Sequence, residues 1–370
     1  QYWREKDAAR QFLKALKHVD FDLREQLDRA RTLVHIGRTQ AAAFVLENGL
    51  FRAARKCPEN SVFRRLEVRF TNGGKGKKRQ EEDGVDAQGL SIELNTLFWE
   101  QLQDYTAVDP GFEARLDPQL VPARWRGPQG KGVRLFVPAA EGGATCLPTP
   151  FLDTNGDPLD LSDGLREKYR RVGNFLLRAF MNGWHVPSAF TPNLVLDNMQ
   201  NLDRQYHPDR KDPYQIAADL CAVGYSWVQT MVDAVLHGDT KVINDVLDDG
   251  SQEPLTPENL NHCLKIFAQK KVLGPRQSAL TAMQEGFFLK DCNERPVFSP
   301  FPLLDSITSP KIRRYIISGD EDCSTNKILN AIDWEGYKDL GEQKTVAEGQ
   351  LRGALELLGA AGRARFLRFA

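Results

Sequence analysis

Six cysteines, six histidines and a loop rich in lysine and glycine carry the widest chemical repertoire in this sequence, and their spacing decides what each can do. In TNGGKGKKRQEED, Lys77 and Lys78 follow Gly76. A phosphate-cradling P-loop needs a glycine five positions before that one and Ser or Thr after its lysine. Thr71 and Lys78 stand in those places, so the loop reads as a solvated connection, with contact to an acidic partner as the alternative. His262 and Cys263 are neighbours on a stretch of helical spacing, where adjacent side chains point about 100° apart. No second pair lies at a useful distance, so neither a metal nor any other cofactor is expected. No GxSxG elbow or HExxH helix occurs, and carboxylates such as Asp86 and Asp219 cannot be paired in space by spacing alone. Among the thiols, Cys146 in GATCLPTP lies among small residues and prolines, where a reactive cysteine could be exposed; an ordinary loop cysteine is the plainer reading. Cys221 and Cys263 fall in helical stretches and read as packed core thiols. Trp184 and Trp227 read first as core edge and second as a partner surface.

The elements that must position these groups are constrained by composition. A chain of 370 residues with 41% hydrophobic content can bury two lobes or domains. Its 49 Lys and Arg nearly cancel its 50 Asp and Glu, so no overall field points to nucleic acid or a membrane as the partner. No apolar run reaches the roughly 18 residues that span a bilayer, and no secretory signal pattern opens the chain. Dispersed cysteines without CxxC spacing fit reduced thiols, hence a cytoplasmic or nuclear location. The first residue is Gln1, and the last segment, FLRFA, reads as an amphipathic stretch in mid-course, so a piece of a larger protein is expected.

Along the chain, residues 1–57 show helical spacing, as in Phe12, Leu13, Leu16, Val19, Leu23 and Leu27. RRLEVRF alternates like a half-buried strand through Leu66, Val68 and Phe70. The turn DGVDAQG leads into a helix whose stripe is Leu90, Leu94, Leu97, Phe98 and Leu102, and Gly84 and Gly89 suit a tight turn before it. Residues 105–165 are rich in Pro and Gly, with VRLFV as one short strand. YRRVGNFLLRAFMNGWHV predicts a helix with Tyr169, Val172, Phe175, Leu176, Ala179 and Phe180 on one side. PYQIAADLCAVGYSWVQTMVDAVL continues the helical pattern, Thr256 and Pro257 begin another helix, and QSALTAMQEGFF is helical up to Gly286. SPKIRRYIISG and VAEGQLRGALELLGAAGRARFLRF add further helices, so the fold class is α+β and predominantly helical.

The order of these pieces resembles the HECT family of ubiquitin ligases. LEVRF followed by EDGVDAQGLSIELNTLFWEQL is similar to that family's opening strand, glycine-rich turn and first helix, with Gly84, Asp86, Gly89 and Glu93 on the pattern and Gln88 where a glycine is usual. YRRVGNFLLRAFMNGWHV, the segment from LTPENLN to Gly286 and Phe287, and the stretch from FPLLDSITSP through Ser318, Gly319, Gly336 and Tyr337 follow in the family's order. LRGALELLGAAGRARFLRFA resembles the start of the smaller lobe.

The resemblance implies a bilobal domain, truncated in its C-terminal lobe. A helical segment over 1–60 would precede a large lobe over 61–338, and 339–370 would hold the hinge and the start of the small lobe. Gly336 and Gly341 are the hinge candidates, an ordinary interhelix loop being the alternative. It further implies a transferase that accepts ubiquitin from a conjugating enzyme as a cysteine thioester and passes it to a lysine of a protein substrate. The catalytic cysteine is expected beyond Ala370, and the fragment alone is expected to be inactive. Thr145 and Cys146 form the family's dipeptide at a different place in the chain, and the role is not transferred to them. The surface that grips the conjugating enzyme is shortened to HGDTKVINDVLDDGSQEP. A degenerate scaffold that binds protein partners without forming a thioester, or an unrelated helical interaction domain, are the competing readings.

Overall fold

A computed structural model describes residues 32–36, 38–48, 66–72, 80–81, 89–116, 126–127, 131–139, 145–181, 184–190, 194–196, 212–238, 255–287, 289–290, 296–298, 325–326, 329 and 341–357. Among these the fold is mainly helical with small sheets, an α+β arrangement. Strand β1 (Thr32–Ile36) lies parallel to β2 (Leu66–Asn72), with Val34 opposite Val68 and Ile36 opposite Phe70, and β3 (Gln80–Glu81) adds an antiparallel edge. The helical spacing expected over residues 1–57 therefore gives way at TLVHI to a strand. Its β-branched residues suit a pleated surface, and Ile36, Val68 and Phe70 are all buried. The positions of Phe12, Leu13, Leu16, Val19, Leu23 and Leu27 lie outside the described residues.

Helix α1 (Ala41–Asn48) leads from this sheet. Helix α2 (Gly89–Leu102) buries Leu94, Phe98, Trp99 and Leu102, while Leu90 and Leu97 pack half-buried against the same core. The described parts of the Pro- and Gly-rich stretch form regular elements. They are β4 (Thr106–Ala107) paired with β5 (Val133–Arg134), the short helix α3 (Pro110–Glu113), and β6 (Phe136–Pro138) paired with β7 (Cys146–Pro148). VRLFV thus divides between two sheets, with Leu135 buried at the break.

Helix α4 (Asp163–Met181) starts six residues before Tyr169 because Ser162 caps it, its Oγ accepting from Leu165 N at 3.3 Å. Tyr169, Val172, Phe175, Leu176 and Ala179 are buried, as the helical period requires. The next helical stretch is two helices, α5 (Pro213–Ala222) and α6 (Trp227–Leu236). The chain reverses between them through Gly224 at φ +102°, a conformation that glycine adopts without strain.

Thr256 and Asn259 cap the following helix reciprocally, Asn259 Oδ1 accepting from Thr256 N at 2.8 Å and Thr256 Oγ1 from Asn259 N at 3.4 Å. Helix α7 (Leu260–Phe267) then continues through a π-turn over Ala268–Leu273 and a 3-10 turn over Gly274–Arg276 into α8 (Gln277–Phe287). Pro275 explains the change of pitch. A proline ring clashes with the carbonyl four residues earlier in a regular helix, and a widened turn relieves that clash. The strands β8 (Leu289–Lys290) and β9 (Pro296–Phe298) follow, and α9 (Gly341–Leu357) is the last described helix.

One continuous core takes residues from Ile36 to Phe287. Leu329 and Leu355 are buried outside that cluster, and Arg352 Nη1 donates to Asn326 Oδ1 at 2.6 Å, joining α9 to the chain just before it. No described helix is long and apolar enough to cross a membrane.

Candidate functional site

Glu93 is the one member of the predicted turn set whose side chain is described. Gly89 opens α2, while Gly84 and Asp86 lie outside the described residues. The Glu93 carboxylate takes a forked bond from Arg38, Nε to Oε1 at 2.6 Å and Nη2 to Oε2 at 3.4 Å, and the Arg38 guanidinium lies 4.5 Å over the Phe70 ring. Glu93 therefore ties α2 to the turn before α1 and, through Arg38, to β2.

Gln101, one face further along α2, repeats the link. Its Nε2 donates to Arg38 O at 2.5 Å and its Oε1 accepts from Ala42 N at 3.1 Å, which satisfies an amide at the start of α1. These are bonds of a frame, and they place no reacting group.

Behind them, α2 meets α4 through aromatic rings. Phe98 and Phe175 lie 4.0 Å apart between centroids, and Trp99 stands edge-on to Phe175 at 6.0 Å and 5.3 Å from Phe190. Trp99 Nε1 donates to Asn95 Oδ1 at 3.0 Å, and Asn95 Nδ2 donates to His185 O at 2.7 Å, so the buried polar atoms of this contact have partners. Burial of each large ring contributes about 2 kcal/mol. Spacing shows the pair, since Asn95 and Trp99 are four apart on one helix face; it cannot show that His185 O lies opposite.

The far side of α4 is held by α8 at two glycines. A Cβ on Gly173 would fall inside the van der Waals shell of the Met283 carbonyl oxygen, and one on Gly286 inside that of the Arg170 carbonyl oxygen. Gly286 is thus a packing residue in the last turn of α8, which ends one residue later at Phe287.

Cys146 does not meet the conditions for a nucleophile. It sits in β7, 1% exposed, and burial pushes its thiol up to about 11, Asp104 adding to the rise and Arg134 opposing it. The loop reading fails because Cys146 faces the core from a strand that pairs with β6. Cys263 is buried in α7 as expected, and Cys221 is half-buried, its Sγ within 3.6 Å of Tyr225 O.

Tyr169 is wholly buried and donates to Leu135 O at 2.6 Å; burial holds its hydroxyl far above the usual tyrosine range. Tyr105 donates to Glu47, which also takes Lys168 at 3.2 Å, and Arg171 donates to Leu46 O at 2.6 Å. Burial raises Glu47, yet the bonds from Tyr105 and Lys168 outweigh it and the carboxyl ends below its ordinary value. Tyr105 moves the other way, raised by burial and by Glu47.

Of the remaining candidates, Trp184 is half-buried beside Phe175 at 6.4 Å, and Trp227 is 37% exposed. Gly341 is the first residue of α9, and Gly336 lies outside the described residues, as do 73–79 and 239–254. Among the described residues no group of three or more His, Cys, Asp and Glu could hold a metal ion. A comparison with protein-family models finds no match, and neither does one with curated proteins.

Proposed function

We propose that this chain is the large lobe and the start of the small lobe of a HECT-type ubiquitin ligase. The observation that carries the reading is that three of the segments on which the resemblance rests pack on one another. The helix after the glycine turn, α2, meets α4 through Phe98 and Phe175, and α4 meets α8 through Gly173 and Gly286. Three unrelated amphipathic helices have no need to meet in that pattern.

Such a ligase works by covalent transfer. A cysteine thiolate attacks the thioester carbonyl that joins ubiquitin to the conjugating enzyme. The conjugating enzyme's thiol leaves; a substrate lysine amine then attacks the new thioester, an isopeptide bond forms as the ligase thiolate leaves, and the amine gives up a proton. Exchange between two thioesters is nearly balanced in energy, so the rate rests on bringing the thiols together. The second step needs a neutral amine, whose ordinary pKa near 10.4 makes desolvation or a nearby carboxylate helpful. In this reading the framed helices α2, α4 and α8 are the platform, Gly336 and Gly341 bracket the hinge, and the nucleophile is expected beyond Ala370. Cys146, buried and with a raised pKa, is not that nucleophile.

The test is to mix the protein that carries this chain with a charged conjugating enzyme and run non-reducing gels. A ubiquitin adduct that thiol reagents release is expected; no adduct with any of a panel of conjugating enzymes overturns the proposal. The scaffold reading, favoured by the short stretch over residues 237–254, predicts partner binding without that adduct.

A further inference from the structure

Asn155 and Gly156 stand at the tip of a hairpin on the surface. The chain reverses over DTNGD, where Asp153 N donates to Asp157 O at 2.9 Å and Gly156 N to Asp153 O at 3.0 Å. The Asp153 side chain braces the turn, its Oδ1 accepting from Asn155 N at 2.8 Å and from Asp157 N at 2.9 Å. Gly156 takes φ +84°, a left-handed conformation that such turns leave to glycine. Below the tip the hairpin is anchored. Leu159 N donates to Phe151 O at 2.9 Å, and buried Phe151 stands edge-on to Phe112 at 5.1 Å. The base therefore belongs to the core, while Thr154, Asn155, Gly156 and Asp157 are all exposed.

An asparagine followed by glycine carries an electrophile and a nucleophile side by side: its own side-chain amide carbon and the next backbone nitrogen. A Cβ on the following residue crowds the approach of that nitrogen, and glycine has none. The space around Gly156 is open too, since nothing lies within 4 Å of where a Cβ would stand. The bond from Gly156 N to Asp153 O holds the reaction back, because the nitrogen attacks only after giving its proton to water. That bond lies in a surface turn, the kind of structure that opens locally at low cost while the core stays closed.

We propose that Asn155 is a site of spontaneous modification, through closure of the Gly156 nitrogen on Asn155 Cγ. The nitrogen passes its proton to water, the new C–N bond forms, and the side-chain amide nitrogen leaves as ammonia, which gives a cyclic imide. Water then opens the imide. Attack at Cγ leaves an aspartate with the chain unchanged; attack at the main-chain carbonyl leaves an isoaspartate, in which the chain runs through the former side chain. Both products set a new carboxylate between Asp153 and Asp157, and the isoaspartate also lengthens the turn by a backbone atom, so the Asp153 and Asp157 pairing loses its register. The proposal does not depend on the ligase reading.

The test holds the folded 370-residue chain at mildly alkaline pH for days and follows the peptide that contains Asn155 by mass mapping, with isoaspartyl methyltransferase labelling to identify the isomer. The peptide is expected to gain the mass of amide hydrolysis and to carry label at position 155. Asp153→Ala removes the side-chain brace from a surface turn and should speed the conversion by about fivefold, the weight of a hydrogen bond in the opening equilibrium. A native chain whose Asn155 stays an amide overturns the proposal, and so does conversion to aspartate without isoaspartate, since direct hydrolysis bypasses the imide. Equal rates in the native chain and Asp153→Ala overturn the restraining role given to the turn.

Discussion

Single side chains here act mostly as clamps, and their chemistry shows in how they titrate and react. Asp109 illustrates it. One oxygen accepts from Phe112 N at 3.0 Å and the other from Ser162 Oγ at 2.5 Å, so one carboxylate caps α3 and orients the residue that caps α4. The Ser162 bond first, then the Phe112 amide, lowers its pKa. A carboxyl whose pKa is lower in the folded chain stabilises the fold above its unfolded value, about 3.9, and that stabilisation is lost as pH falls through the folded value. Asp109→Ala should cost about 1 kcal/mol at neutral pH, with the difference from the native chain shrinking at a pH below the folded value. Urea midpoints at both pH values check this, and an unchanged gap refutes it. Glu47 and Glu167 lie on the same acid limb, since in each the hydrogen bonds outweigh a burial that would raise them. Reactivity follows the same logic for Cys146. With a pKa near 11, roughly one thiol in ten thousand is ionised at neutral pH. Iodoacetamide on the native chain should label half-buried Cys221 well before Cys146, as read by peptide mass mapping. Comparable rates would show that β7 opens readily.

At the scale of elements, the contact between α4 and α8 depends on two missing side chains. The atoms that a Cβ would meet at Gly173 and Gly286 are backbone carbonyls, which cannot rotate away as a side-chain tip can. The helices would have to separate, and the aromatic contact on the other face of α4 would follow. Gly173→Ala and Gly286→Ala are each expected to destabilise by about 3 kcal/mol, although alanine is the better helix former by about 1 kcal/mol. Thermal melts decide: a rise in Tm for either variant would mean that the helices can part at little cost. Gly349→Ala in α9 is the control, because nothing lies within 4 Å of its added Cβ, and there the helix propensity should prevail.

For the whole molecule, the question is where the first folded body begins. A boundary near residue 60 follows from the resemblance, while β1 and α1 contribute Ile36, Ala41, Ala42, Val45 and Leu46 to the same core as α2 and α4. Removing them would strip β2 of its parallel partner and uncover Val68 and Phe70. An exposed apolar edge strand is an aggregation site. A chain starting at Ser61 should therefore aggregate or lose cooperative unfolding, as seen by size-exclusion chromatography and calorimetry. A monomeric, cooperatively melting product would instead support a boundary near 60. The Glu47, Tyr105 and Lys168 bonds add a polar tie between α1 and α4 across the same junction.

What the amino-acid order determines by itself is the local part of this account. The apolar period of α4, the cap at Thr256, and the helical character of the chain all depend on neighbours within a few residues. Those relations survive without a tertiary structure. The tertiary structure alone decided the rest. TLVHI reads as part of a helical region until β2 lies beside it, and Cys146 reads as a loop thiol until β6 covers it. Gly286 reads only as a helix end until the Arg170 carbonyl is found against it. Glu93 reads as a member of a turn until Arg38, 55 positions away, takes its carboxylate. In each case the deciding partner is remote in sequence, and pairwise burial and hydrogen bonding carry no trace in the spacing of one segment.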